Sequence, residues 1–236
     1  RHTLSTSCPY TTLFRSAPTM TTSMRGWLSA IAFTLFTLAL PVHAQLAAGK
    51  DYIVIEPALG TDNPASIEVI EFFSFGCPHC SDLHTPISKW AARLPADVAF
   101  KRVAVGFGNP YYQNLAKLYY ALEAIGELQK LDSSVFHAIH EKGLKLIDDK
   151  SILEWVTAQG VDAKKFSDAY NSFGVVSKTK RADQMVQASK IRGVPSLVVD
   201  GRYLVTTQNI KSHADLLAQT DKVIDKARSE RNPIKK

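Results

Sequence analysis

The stretch Val69-Ile-Glu-Phe-Phe-Ser-Phe-Gly-Cys77-Pro78-His79-Cys80 decides the fold. Ile67 to Phe75 is apolar, β-branched or aromatic at nearly every position, as expected of a central strand covered on both faces. Pro78 then opens a helix, because its missing N–H costs nothing at the first helical position. Leu83, Ile87, Trp90, Ala91 and Leu94 recur behind it at helical spacing, and Pro86 is expected to kink the helix. A cysteine in the first turn of a helix faces unpaired backbone N–H groups and the positive end of the helix dipole, both of which stabilise a thiolate. Cys77 has that place. His79 adds a side chain that can carry positive charge or donate a hydrogen bond, lowering the Cys77 pKa further. Cys80, three residues on, shares the helical face and is placed to close a disulfide. A thiol three units below pH 7 would favour the reduced form by about 4 kcal/mol, or about 90 mV for the two-electron couple.

Outward from this stretch, Tyr52 to Glu56 is a short apolar strand followed by a Gly60 to Pro64 turn. Val98 to Val105 returns as a strand, completing a strand–helix–strand unit expected to be parallel and right-handed. From about Asn109 to Ile191 only helical periodicity is visible. Leu115, Leu118, Tyr119, Leu122 and Ile125 form one stripe and Val135, Phe136, Ile139 and His140 a second. A third helix begins at Ser151 as its cap, a fourth carries Phe166, Ala169, Tyr170 and Phe173, and a fifth spans Val175 to Ile191. Ser196 to Asp200, a turn at Asp200-Gly201, and Arg202 to Thr206 read as a β-hairpin. Ser212 caps a last helix. The fold class expected is α/β, with helices inserted within a sheet domain.

Cysteine usage separates chemistry from scaffolding. Arg25, an apolar run from Trp27 to Leu40 and the small residues of Val42-His43-Ala44 make residues 24–44 a secretory signal peptide, cleaved before Gln45, with residues 1–23 upstream sequence. As a membrane anchor the run is short of the ~20 residues a spanning helix needs. Removing the leader takes away Arg1, Arg15, Arg25 and Cys8, leaving 25 basic against 22 acidic side chains and only Cys77 and Cys80. So even a balance gives no argument for nucleic acid. An exported chain of this length buries a sufficient core without disulfides, and a bond closing so short a loop adds little stability. The pair is kept for chemistry.

A strand, a Cys-Pro-His-Cys tetrapeptide opening a helix, and Gly193-Val194-Pro195 just before a later strand resemble the thioredoxin superfamily, specifically its periplasmic DsbA-type thiol:disulfide oxidoreductases. The resemblance implies a thioredoxin-like fold in two halves, residues 45–108 and 192–236, around an inserted helical domain, residues 109–191. It implies that Pro195 is a cis proline beside the cysteines and that Val194 presents backbone groups to a bound substrate strand. Implied catalytic residues are Cys77, Pro78, His79, Cys80 and Glu71. The implied activity is donation of the Cys77–Cys80 disulfide to newly exported, reduced proteins in the periplasm, with reoxidation by a membrane quinone-linked protein of the DsbB kind. The only redox group expected is the disulfide itself, with no metal, and the chain is expected to be a monomer. An apolar groove for unfolded chains is expected near the cysteines, with Phe75 and Val194 at its edge.

Strand alternation puts Glu71 on one face with Val69, Phe73 and Phe75, where a lone carboxylate is costly. A buried glutamate with a raised pKa, six residues before Cys77, could accept or relay the proton of Cys80, a role the family also gives this acid. Alternatively it is a structural carboxylate paired with Lys101 or Arg102. Cys77, His79, Cys80 and His84 could be drawn as a metal set, but two cysteines with no second CxxC or paired-histidine motif make a weak one. A reductase or isomerase would share the fold, although an isomerase of the dimeric type would be expected to carry an N-terminal dimerisation domain. A metal-binding or chaperone module would not need a low-pKa thiol.

Overall fold

The computed structural model describes residues 46–208 and 210–231. The signal peptide expected at residues 24–44 and its cleavage point lie outside the described residues. Among the described residues no helix is long and apolar enough to cross a membrane.

Five strands form one mixed sheet in the order β1-β5-β4-β2-β3. The strands are β1 (Tyr52–Val54), β2 (Ile67–Phe73), β3 (Val98–Ala104), β4 (Ser196–Val199) and β5 (Tyr203–Val205). β2 is interior, with every residue buried, parallel to β3 on one side and antiparallel to β4 on the other. Its nearly continuous apolar run follows from having both faces covered. The strand ends at Phe73 because Ser74 begins a turn, its carbonyl accepting from the Cys77 N–H at 3.1 Å.

That turn delivers the chain to α1 (Pro78–Ala91), which buries Cys80, Leu83, His84, Ile87 and Trp90 and runs unbroken through Pro86. α1 and the last helix, α7 (His213–Arg231), share a hydrophobic cluster with β4 and β5 that contains Leu83, Ile87, Leu197, Val199, Val223 and Ile224. Ser212 accepts from the Asp215 N–H, as expected of the cap of α7.

Between β3 and β4 the chain makes α2 (Pro110–Ile125), α3 (Leu128–Phe136), a π-helical turn (His137–Glu141), α4 (Asp149–Ala158), α5 (Ala163–Tyr170) and α6 (Phe173–Ala188). Their apolar stripes join β2 and β3 in the second cluster, with Phe73, Phe75, Leu115, Leu118, Phe136 and Val186 among its members. One boundary differs from the sequence expectation. Asp148, not Ser151, caps α4: its carboxylate accepts from the Ser151 N–H, and Ser151 at the third helical position closes a capping box. Asp and Ser cap almost equally well, so the pattern alone could not rank them.

The β4–β5 hairpin turns at Asp200 and Gly201, both with positive φ (57° and 64°), as a two-residue turn matched to strand twist requires. A Cβ on Gly201 would stand 2.2 Å from the Leu59 carbonyl oxygen. Gly201→Ala is therefore expected to cost more than about 1 kcal/mol. Urea unfolding reads this as a lowered midpoint with unchanged slope; an unchanged midpoint would contradict the packing of Leu59 on the turn.

Candidate active site

Cys77 is the N-cap of α1, with an extended backbone (φ −92°, ψ 119°), and its carbonyl accepts from the N–H groups of Cys80 and Ser81 at 3.1 Å each. Both cysteines are free thiols. Cys77 keeps 9 % of its surface and Cys80 none, while Pro78 and His79 are exposed. The two thiols differ in acidity as in access. The Cys77 pKa is lowered from 9.0 to about 6: first by a hydrogen bond from the Cys80 thiol, against opposition from burial, then by the backbone N–H groups of Cys80 and His79, and least by the charge of His79. Cys80 moves strongly upward, through its bond to Cys77 and through burial, with the charges of Cys77 and Glu71 adding to the shift. The partner thiol, which the sequence reading did not count, leads; the backbone N–H groups of the helix start follow, and the His79 side chain comes last.

The Val194–Pro195 peptide is cis, and the Val194 carbonyl faces the Cys77 thiol, accepting from Sγ at 3.3 Å. A groove of about 550 Å3 runs from His79 along Val194, Pro195 and Ser196 to Leu204 and Ile210. Phe75 does not edge it. That ring is 1 % exposed and packed edge-on against Phe73 and Phe136, so the Ser74 turn carries it inward rather than to the surface.

Glu71 is fully buried, and of its two sequence candidates Arg102 is the partner, with Nε donating to Glu71 Oε2 at 2.8 Å. The parallel register explains the choice: Glu71 sits opposite Arg102, whereas Lys101, on the other face of β3, pairs with Asp62 and Glu68 at 2.7 and 2.9 Å. Arg102 also donates from Nη1 to Asp132 of α3 at 2.6 Å, and His84 of α1 approaches Asp132 at 3.6 Å while bonding Ser133 at 2.9 Å. Burial pushes the Glu71 carboxyl upward, only partly offset by Arg102. Asp132 and His84 were not legible as members of this buried group; a histidine four residues after Cys80 was the only sign. Among the described residues no cluster could hold a metal ion.

A buried strand feeding a helix that starts at Cys-Pro-His-Cys, opposite a cis-proline loop, defines a thioredoxin-fold dithiol–disulfide oxidoreductase. Residues 81–218 match the family model described as DSBA-like thioredoxin domain, beginning one residue past Cys80. The thiol:disulfide interchange protein DsbA of Bordetella parapertussis is 38 % identical over 185 residues, 78 % of this chain and 87 % of that protein. That of Azotobacter vinelandii is 34 % identical over 186 residues, 79 % and 86 % of the two chains. The crystal structure of Pseudomonas aeruginosa DsbA superposes with a TM-score of 0.74 at 31 % identity, covering 79 % of this chain and 96 % of that one. The chain belongs to the DsbA family and is a protein disulfide oxidoreductase.

Proposed function

We propose that the chain donates a Cys77–Cys80 disulfide to reduced, newly exported proteins in the periplasm. A substrate thiolate attacks Cys77 Sγ, the Cys77–Cys80 bond breaks, and Cys80 leaves with the electron pair and takes up a proton. A second substrate thiolate then attacks the substrate sulfur of the mixed disulfide and expels Cys77 as a thiolate. The substrate is oxidised by two electrons and the enzyme reduced. Reoxidation falls to a membrane quinone-linked partner of the DsbB kind. No further cofactor is invoked. Val194 and Pro195 hold the substrate strand, His79 tunes Cys77 as a secondary influence, Pro78 sets the helix start, and Glu71 exchanges the proton of Cys80. The helices between β3 and β4, residues 109–191, form an inserted domain between the two halves of the thioredoxin-like fold.

The asymmetry of the two thiols carries the reading: the reachable sulfur is the stabilised leaving group, and the hidden one holds its proton. A depressed folded pKa stabilises the reduced state fully above the ordinary thiol value of 9.0, and the advantage is lost as pH falls through about 6. At pH 7 it amounts to about 1.4 kcal/mol, or about 30 mV toward an oxidant. This is smaller than three units below neutrality would have given. Thiolate absorbance should titrate near pH 6, and equilibration with glutathione should leave the protein more reduced at pH 7 than an ordinary dithiol. A Cys77 titrating near 9, or a strongly reducing equilibrium, would turn the reading toward a reductase.

A further inference from the structure

The turn from Ser74 to Cys77 is tied down by groups outside the cysteine motif. Ser74 serves it twice, its carbonyl accepting from the Cys77 N–H at 3.1 Å and its hydroxyl from the Gly76 N–H at 3.3 Å. The Phe75 carbonyl is bonded across the molecule, 2.7 Å from His140 Nε2. A carbonyl only accepts, so Nε2 carries the proton and donates.

His140 lies in the π-helical turn His137–Glu141, which the Lys142 N–H closes on the His137 carbonyl at 3.0 Å. Wide turns of this kind interrupt regular helix and recur at functional sites. Packing fixes the ring: it stacks on Phe136 at 6.1 Å, and Phe136 meets Phe75 edge-on at 5.0 Å. A buried carbonyl deprived of its donor pays its desolvation again, so the turn would have to shift to recover a partner.

We propose that His140 is a positioning residue for the thiol chemistry, fixing the Phe75 carbonyl and through it the turn that holds Cys77 Sγ against the N–H groups of His79 and Cys80. The inference rests on Cys77 being the exchanging thiol. It gives the π turn a task, linking the helices between β3 and β4 to the turn that carries Cys77. A histidine that merely filled space there could be exchanged for phenylalanine without consequence for the thiol.

Two variants separate the cases. His140→Phe keeps a ring to stack on Phe136 and removes the donor; His140→Gln keeps a side-chain N–H. The readouts are Cys77 thiolate absorbance against pH and the equilibrium with glutathione, with thermal unfolding followed alongside. His140→Phe is expected to raise the Cys77 pKa by about one unit, about tenfold fewer thiolates per thiol at acid pH. Its glutathione equilibrium should move severalfold toward the oxidised protein, and His140→Gln should lie close to wild type in both. His140→Phe with wild-type pKa and equilibrium overturns the proposal, whatever the melting temperature does. So does a His140→Gln that matches His140→Phe when both are shifted. The wild-type protein run in parallel keeps the two readings apart: an ordinary Cys77 pKa there sinks the oxidase reading, whereas His140 is judged on the difference between variant and wild type.

Discussion

Cys80→Ser is expected to abolish disulfide donation and leave Cys77 joined to whatever thiol it last exchanged with. Cys77 is the sulfur with residual surface and Cys80 has none, so incoming thiolates meet Cys77. Once a mixed disulfide forms without Cys80, the protein has no second sulfur within the motif to reclaim Cys77, so an adduct with a partner that carries a single thiol persists. The replacement also probes why Cys77 is acidic. The leading cause is the hydrogen bond from the Cys80 side chain, which a serine hydroxyl can replace. Cys80→Ser should therefore keep a low Cys77 pKa, whereas Cys80→Ala should raise it while being equally inactive. A single-cysteine peptide, presented to each reduced protein as its mixed disulfide with glutathione, reads this by mass: Cys80→Ser should accumulate an adduct on Cys77 that the wild type, using Cys80, releases. A Cys80→Ser protein that keeps no adduct would defeat the assigned roles, and equal Cys77 acidity in the two variants would defeat the hydrogen bond as cause.

The residues differ in how openly the sequence announced them. Cys77, Cys80 and the helix they begin were legible because local rules decide them: a proline at the first helical position, an apolar run before it, a stripe behind it. The hairpin was legible for the same reason, since Asp200-Gly201 states its own turn chemistry. Glu71 was legible as a misfit, an acid in a buried strand, but its partner was not. Choosing Arg102 over Lys101 needs the register of β2 against β3, a tertiary fact. Asp132 reaches the Arg102 guanidinium from α3, and His84 reaches the Asp132 carboxylate from α1, so no local window contains them together. His140 looked like one position of an amphipathic stripe. Its bond spans 65 residues to the Phe75 carbonyl, and a backbone carbonyl has no sequence signature. The groove edge expected at Phe75 is not there because the ring lies in the core against Phe73 and Phe136, the latter brought by α3 from a distant part of the chain.

Arg102→Met is expected to cost about 3–5 kcal/mol of folding stability, because it strips the cation from between two carboxylates. Glu71 is fully buried and Asp132 mostly so, and Arg102 bonds one at 2.8 Å and the other at 2.6 Å. The guanidinium also lies 3.7 Å from the centre of the Phe73 ring, a contact whose planar geometry a lysine would not reproduce. Arg102→Lys should accordingly recover only part of the loss. The pH dependence identifies the cause. Burial already raises the Glu71 pKa above its ordinary 4.5, and Arg102 is the largest influence opposing that rise. An acid whose folded pKa is raised costs nothing below the unfolded value. Its cost then grows as pH climbs from about 4.5 to the folded pKa and stays constant above it. Without Arg102 the folded value climbs further, so the penalty of Arg102→Met should shrink toward about pH 4 and be largest above neutrality. Adding Glu71→Gln and Asp132→Asn to Arg102→Met should restore much of the stability at neutral pH by removing the charges left unpaired. Urea unfolding of the reduced protein at several pH values checks this: a penalty independent of pH and untouched by the two amides would place the loss in packing against Phe73, and the buried ion group would then not be what Arg102 is there to neutralise.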